Sequence, residues 1–221
     1  MEQTQVWTNG LEFSELPRST LKDSTEALIR RALLSGAMKP GEIYSANSLA
    51  TRLGVSNSPA REAMMSLVNK GLLELVRNRG FRVVELSDRD KQEVYDLRRL
   101  IEVEAVRRVA EAGVDAGQAE LLSRLTEQSV AAAGADDVVE YLEADQRFHI
   151  ALVGMLGNRR WTSIVENLRD QSRINGSYRL QERGLQESSA LEHRGIVGAV
   201  IAGDTARAAE LMVRHLDYAR P

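Results

Sequence analysis

Along most of the chain, apolar residues recur every three or four positions; in one stretch they alternate instead. From Leu21 to Leu34, the positions Leu21, Ala27/Leu28, Ala32 and Leu34 predict a first helix, closed by Gly36. Met38-Lys39-Pro40-Gly41 reads as a turn, with Pro and Gly supplying the dihedrals that a reversal needs. A short amphipathic segment from Ala46 to Leu53 turns Leu49, Ala50 and Leu53 inward and stops at Gly54. After Gly54-Val55-Ser56, Ser58 is placed to cap the next helix, with Pro59 at its first position and Glu62 near its positive end. That helix runs to about Lys70. It buries Ala60, Ala63/Met64, Leu67 and Val68 and leaves Asn57, Ser58, Arg61 and Met65 on the other side. Beyond Gly71, residues 73–76 and 81–84 read as two strands joined by Arg77-Asn78-Arg79-Gly80, a hairpin with two arginines at its tip. Two helices followed by a wing make a winged helix-turn-helix, a geometry that offers a helix N-terminus to the DNA major groove.

Past the wing the pattern is helical to the end. Glu85-Leu86 is a short linker, and Ser87 with Asp90 three residues on forms a capping-box-like start. Six helices follow: one to about Ala112, then 116–133, 136–156, 159–183, 186–202 and 204–219. The first of them aligns Val94, Leu97, Ile101, Ala105 and Val109 on one stripe, and Phe148 and Trp161 read as core. Short connections predict an antiparallel bundle. The expected fold is therefore mainly α: a winged helix-turn-helix with a small β wing over 18–85, then an all-α bundle over 86–221. Residues 1–17, which hold Trp7 and Phe13 but no periodicity, read as a flexible arm.

Charge sharpens this division. The 221-residue chain carries a net charge of −3, but residues 18–82 hold 11 Lys and Arg against 5 Asp and Glu, leaving 18 against 27 elsewhere. A basic module joined to an acidic one is expected if only the first meets phosphates. With no cysteine there is no disulfide framework and no thiolate metal site. No apolar run approaches membrane-spanning length and no signal-peptide pattern opens the chain, so a cytoplasmic protein with no membrane partner is expected.

One constellation in the bundle carries chemistry. Asp145 and His149 lie four apart on the third bundle helix, on the same face, where a carboxylate and an imidazole can grip one cation. The chain's other two histidines, His193 and His215, fall in the fifth and sixth helices of the bundle. In a bundle all three could converge with Asp145 on a site suited to zinc, nickel or another first-row divalent ion. A lone helical histidine is more often a surface residue or a hydrogen-bonded core residue, so spacing leaves both readings open.

The run Pro40-Gly41, LA-x-x-LGVS from Leu49, SPAREAM from Ser58, L-x-x-KGLL from Leu67 and RNRGFRV from Arg77 resembles the DNA-binding half of the GntR-type bacterial transcriptional regulators. It departs at Asn57, where that family usually has Arg. D-x-x-F-H from Asp145, L-x-N from Leu156, the Glu192 to Asp204 pattern and the late His215 resemble the all-helical effector domain of the FadR subfamily, in its six-helix branch. The resemblance implies that Asp145, His149, His193 and His215 hold a divalent metal beneath an effector pocket. It further implies that Arg98 and Glu102 form that domain's R-x-x-x-E pair, and that the effector is a small organic acid. For Arg61 it implies direct base contact, while Asn57 and Ser58 on the same outer face and Arg77 and Arg79 on the wing are candidates for DNA contact by their positions.

Arg98 could clamp an effector carboxylate or form an internal ion pair with Glu102, and the two are compatible. Arg173, Asn175 and Tyr178 could line the same pocket, or form a solvated face. Arg77, Arg79 and Arg82 fall where a wing approaches a phosphate or the minor groove. Two functions follow. One is a homodimeric, ligand-responsive regulator of double-stranded operator DNA, repression being the commoner outcome in the resembled family. The other is a metal-dependent hydrolase with an added nucleic-acid module. The bundle offers the hydrolase no spare His as general base and no Gly-rich phosphate loop, which favours the regulator.

Overall fold

The computed structural model describes residues 21–135, 137–176 and 184–221. Helix α1 (Leu21–Leu34) has the expected bounds but a different inner face. Thr25, Ile29, Leu33 and Leu34 are buried, whereas Leu21 and Leu28 are 57% and 52% exposed. Thr25 can turn inward because its hydroxyl donates to the Leu21 carbonyl at 2.7 Å, which removes the cost of burying it. Helix α2 (Ala46–Leu53) starts at Ser45, whose hydroxyl accepts from the Ser48 amide at 3.1 Å, and ends at Gly54 with φ +66°. Helix α3 (Asn57–Asn69) begins earlier than expected: Ser56 stands at its N-cap, and the Ser58 hydroxyl instead donates to Glu62 at 2.9 Å. Pro59 lies within the first turn, where a missing amide proton costs nothing. Ala60, Ala63, Met64 and Leu67 are buried as expected, with Val68 half-buried.

The wing pairs β2 (Leu73–Val76) with β3 (Gly80–Val83) in antiparallel register, Leu73 opposite Val83 and Val76 opposite Gly80. A third strand that the sequence did not suggest, β1 (Ile43–Tyr44), lies on the other side of β3. Its approach explains Gly80: a Cβ there would stand 2.5 Å from the Tyr44 carbonyl oxygen, and φ is +127°. Asn78 takes the left-handed conformation at the tip.

The bundle is built from α4 (Asp88–Ala112), α5 (Ala116–Gly134), α6 (Val138–Gly154), α7 (Arg159–Ile174), α8 (Gln186–Ile201) and α9 (Thr205–Leu216), with a 3-10 turn at Asp217–Ala219. Ser87 and Asp90 form the full capping box that opens α4. Helix α7 stops earlier than expected, at Ile174. Asn175-Gly176 turns the chain, and the Asn175 amide group donates back to the Gln171 carbonyl at 3.1 Å. The rest of the expected helix, with Tyr178, lies outside the described residues, as does the 1–17 arm. On α4 the expected stripe holds at Val94, Ala105 and Val109, which are buried, but not at Leu97, which is 46% exposed, while Arg98 and Glu102 are 5% and 1% exposed. One apolar cluster runs from Ile29, Leu33, Met64 and Leu67 to Tyr141 and Leu142, so the DNA-binding half and the bundle share a core. A second cluster, around Val106, Leu122, Phe148, Ile196 and Met212, fills the bundle. Among the described residues no helix is long and apolar enough to cross a membrane.

Candidate functional site

Asn57, Ser58 and Arg61 lie exposed on the first turns of α3, and Arg77 and Arg79 lie exposed at the wing tip. The Arg61 guanidinium is 6.0 Å from the Phe81 ring centroid, which rests it against the wing. Arg82 differs from its neighbours: its Nη1 donates to Glu74 at 2.6 Å across the register, so part of its charge is already neutralised.

In the bundle, the structure brings Asp145, His149, His193 and His215 together, all buried, with one ligand atom from each within 4.8 Å of every other. His149 Nε2 is 3.0 Å from His215 Nε2, which is 3.3 Å from His193 Nε2. Asp145 Oδ1 is 3.7 Å from His149 Nε2 and 3.3 Å from His193 Nε2. Two nitrogens at about 2.1 Å from one ion would stand roughly 3.0 Å apart at an octahedral angle and roughly 3.4 Å apart at a tetrahedral one, so these spacings fit a single metal. On the far sides of the rings, Glu102 lies 2.8 Å from His149 Nδ1, off the direction of a ring N–H bond, and Glu192 lies 3.4 Å from His215 Nδ1. Both carboxylates favour the tautomer with its proton on Nδ1, which aims the Nε2 lone pairs inward. Burial, reinforced by the Arg169 charge, holds the His149 pKa well below its usual value, and burial pushes His193 down to about 4. Neutral imidazoles converging on a carboxylate oxygen are a donor set that calls for a cation.

Above this cluster stand three buried arginines. Arg98 donates through Nε to Glu102 at 2.8 Å and through Nη1 to Ser172 at 3.3 Å. Arg169 bridges Glu102 at 2.8 Å and Asp145 Oδ2 at 2.5 Å, and Arg173 donates to Asp145 and Gln146. Burial would raise the Glu102 and Asp145 pKa values, but the arginines outweigh it and hold both carboxyls well below the usual range. Two of the arginines pay in turn: burial lowers Arg98, and burial with the Arg169 charge brings Arg173 down to about 10. Arg98 thus makes the ion pair with Glu102 and still faces a cavity of about 80 Å³, as do Arg169 and Arg173. Asn175 lines the cavity too, although its side-chain oxygen accepts from the Leu86 amide at 3.0 Å, so it also holds the linker. Sequence reasoning missed Arg169. The available signal was its place one turn before Arg173, on the face that Arg173 already marked.

Residues 21–83 match the gntR family of bacterial regulatory proteins, and residues 93–218, more than half of the chain, match the FCD domain. The chain belongs to the GntR family. With its FCD domain it fits the FadR-like subfamily. This GntR protein is similar to the HTH-type transcriptional repressor GlaR of Escherichia coli (strain K12), 28% identical over 195 residues covering 85% of this chain and 89% of GlaR. It is 32% identical over 142 residues to the uncharacterized HTH-type transcriptional regulator YdhC of Bacillus subtilis (strain 168), covering 64% of this chain and 63% of YdhC; the match thus spans just under two thirds of that relative. The solved structure of McbR/YncC from E. coli shares its fold, with a TM-score of 0.79 at 23% identity over 90% of this chain and 94% of McbR. The family and these relatives are transcription regulators, not enzymes, which leaves the hydrolase alternative without support.

Proposed function

We propose that this GntR protein is a homodimeric repressor that binds operator DNA through paired winged helices and releases it when a small organic acid enters the bundle. The observation that carries the reading is the stacking of two sites: a three-His, one-Asp donor set at the base of a cavity whose walls hold three buried arginines. Asp145, His149, His193 and His215 hold a divalent ion, zinc or nickel, which when bound supplies positive charge and an open coordination position for a carboxylate oxygen. Arg98 and Arg173 orient the acid by their planar forks, and burial keeps water from screening the contact. Asn57, Ser58 and Arg61 face the bases, and Arg77 and Arg79 the backbone or minor groove. Leu97 and Leu100 of α4 and Ile164 of α7, 46%, 71% and 48% exposed, supply an apolar surface for pairing subunits.

The test combines mass and metal. Sedimentation equilibrium of reconstituted protein should give twice the 24.5 kDa chain mass, and elemental mass spectrometry about one divalent ion per subunit. In His193→Ala the ion should be lost and the melting temperature of the remaining protein should no longer rise on adding metal. A monomer, or metal at full stoichiometry in His193→Ala, overturns the corresponding half of the reading.

A further inference from the structure

Helices α4 and α7 run antiparallel along the cavity, and two contacts set their register: Arg169 with Glu102 at 2.8 Å and Arg98 with Ser172 at 3.3 Å. From that level α4 leads outward to Lys91, seven residues before Arg98. That is two turns on nearly the same face, about 10 Å along the axis. At the same end α7 contributes Gly176, and the segment after α9, tied to α4 where Tyr95 donates to Asp217, brings Arg220. Burial follows this axis. Arg98 and Arg169 are buried, the Lys91 side chain is 27% exposed and Arg220 is exposed. The cavity therefore has a deep end at Asp145 and His215 and a mouth at Lys91 and Arg220.

Among the described side chains that line the cavity, cations outnumber acids at both ends. Deep in the cavity Arg98, Arg169 and Arg173 face Glu102 and Asp145, an excess that grows with a bound divalent ion. At the mouth stand Lys91 and Arg220, and Asp145 is the one acidic residue among the described lining residues, far from them. Lys91 pairs with Asp88 at 3.1 Å, but the Asp88 side chain is 92% exposed, and a pair so solvated is displaced at little cost. Arg220 makes no ion pair with any described residue. Between the two ends the wall is partly apolar, with Leu142, Leu216 and Ala219.

We infer that the effector is a dianion: a short aliphatic dicarboxylate whose one carboxylate sits at Arg98 and Arg173 while Lys91 and Arg220 hold the other. This rests on the reading of the cavity as the effector site and adds the second anionic group and the residues that select for it. Both mouth residues line the cavity and carry long side chains, which can bring the carboxylates closer together than the backbones that hold them. The aliphatic link lies along Leu142 and Leu216.

Titration calorimetry of the metal-reconstituted full chain tests it with three sets of probes: malonate, succinate, glutarate and adipate; propionate and butyrate; and succinamate, which keeps the length of succinate but loses one charge. At least one dicarboxylate should bind about tenfold or more tighter than butyrate and, if it is succinate, than succinamate. In Lys91→Gln and in Arg220→Gln, both at the surface, dicarboxylate affinity should fall by about tenfold while butyrate affinity stays unchanged. The inference is overturned if the monocarboxylates bind as tightly as the dicarboxylates, or if the variants weaken both classes equally. In either case the carboxylate reading of the cavity survives. Failure of every acid to bind overturns that reading together with this one.

Discussion

Arg61 and Arg79 are both exposed arginines of the DNA-binding half, yet their positions assign them different work. Arg61 rises from the first turns of α3, where a planar fork can meet the acceptor pair of a guanine, so Arg61→Ala should cost about 1–3 kcal/mol and relax preference at one position of each half-site. Arg79 sits at the wing tip. Its loss should weaken binding to every sequence alike and make the salt dependence shallower, by about one unit of slope per lost phosphate contact and twice that in a dimer. Asn57 is the residue by which this chain departs from its family's usual pattern. Asn pairs best with adenine, so Asn57→Arg should move the base it faces toward guanine. Selection from random DNA with both proteins decides this, and identical recovered motifs would mean that Asn57 reads no base. At this scale the cluster of Asp145, His149, His193 and His215 was legible from the i,i+4 spacing of the first two, the scarcity of histidine and the resemblance to the FadR effector domain. Arg169 was not, because what makes it matter is a pair of acids, Glu102 and Asp145, supplied by two other helices.

Among the elements, α7 joins the site to the rest of the chain, because its faces look in different directions. Arg169 and Arg173 point into the cavity. Asp170 accepts from Arg30 of α1 at 2.8 and 2.5 Å, and Gln171 donates to the carbonyl of Lys70, the residue that ends α3, at 3.3 Å. Gln146 of α6 bridges the two faces, taking a hydrogen bond from Arg173 and donating to Asp170 at 3.2 Å. An acid that draws Arg173 toward itself therefore loosens the partner that orients Gln146 and, through Asp170, Arg30. In Arg30→Gln the effector should still bind with its usual affinity, while its effect on operator affinity shrinks toward none. The variant should also melt earlier, because Asp170 is left buried without its cation, although Arg30 keeps 19% side-chain exposure and the cost sits at or below the low end of about 3–5 kcal/mol. Unchanged coupling in Arg30→Gln would send the route elsewhere. Element bounds were read well from the sequence wherever a local signal marks them, as at Gly54, Gly71 and the Ser87 capping box. Faces were read less well. Thr25 looks outward-facing by composition and is buried because a backbone carbonyl meets it there, whereas Leu28 and Leu97, read as inward, are exposed. Strand β1 was missed for a similar reason: two residues carry no periodicity, and only pairing with β3 makes them a strand.

The molecule as a whole is polar in charge, with residues 18–82 at a net of +6 and the remainder at −9, so phosphates are drawn to one end and away from the bundle. The anionic effector proposed above would enter against the field of an acidic domain, and the buried arginines would supply the local attraction that reverses it. Since the halves share the apolar cluster that links Ile29 and Met64 to Tyr141, operator and effector act on one folded unit, and linkage makes their effects reciprocal. If a saturating dicarboxylate weakens operator binding to the dimer by some factor, saturating operator must weaken dicarboxylate binding by that factor over the two subunits together, its square root at each, with about 5- to 150-fold the usual range for such coupling. Both factors can be measured on one preparation, the first by fluorescence anisotropy of a labelled operator and the second by calorimetry with unlabelled operator present. An operator factor equal to the square of the subunit factor is what linkage requires as long as both ligands bind the intact, metal-loaded dimer. A factor of one for either, beside a large factor for the other, would violate that balance. The acid would then be acting by dissociating subunits or stripping the metal, and no rearrangement of α7 would be needed to explain release.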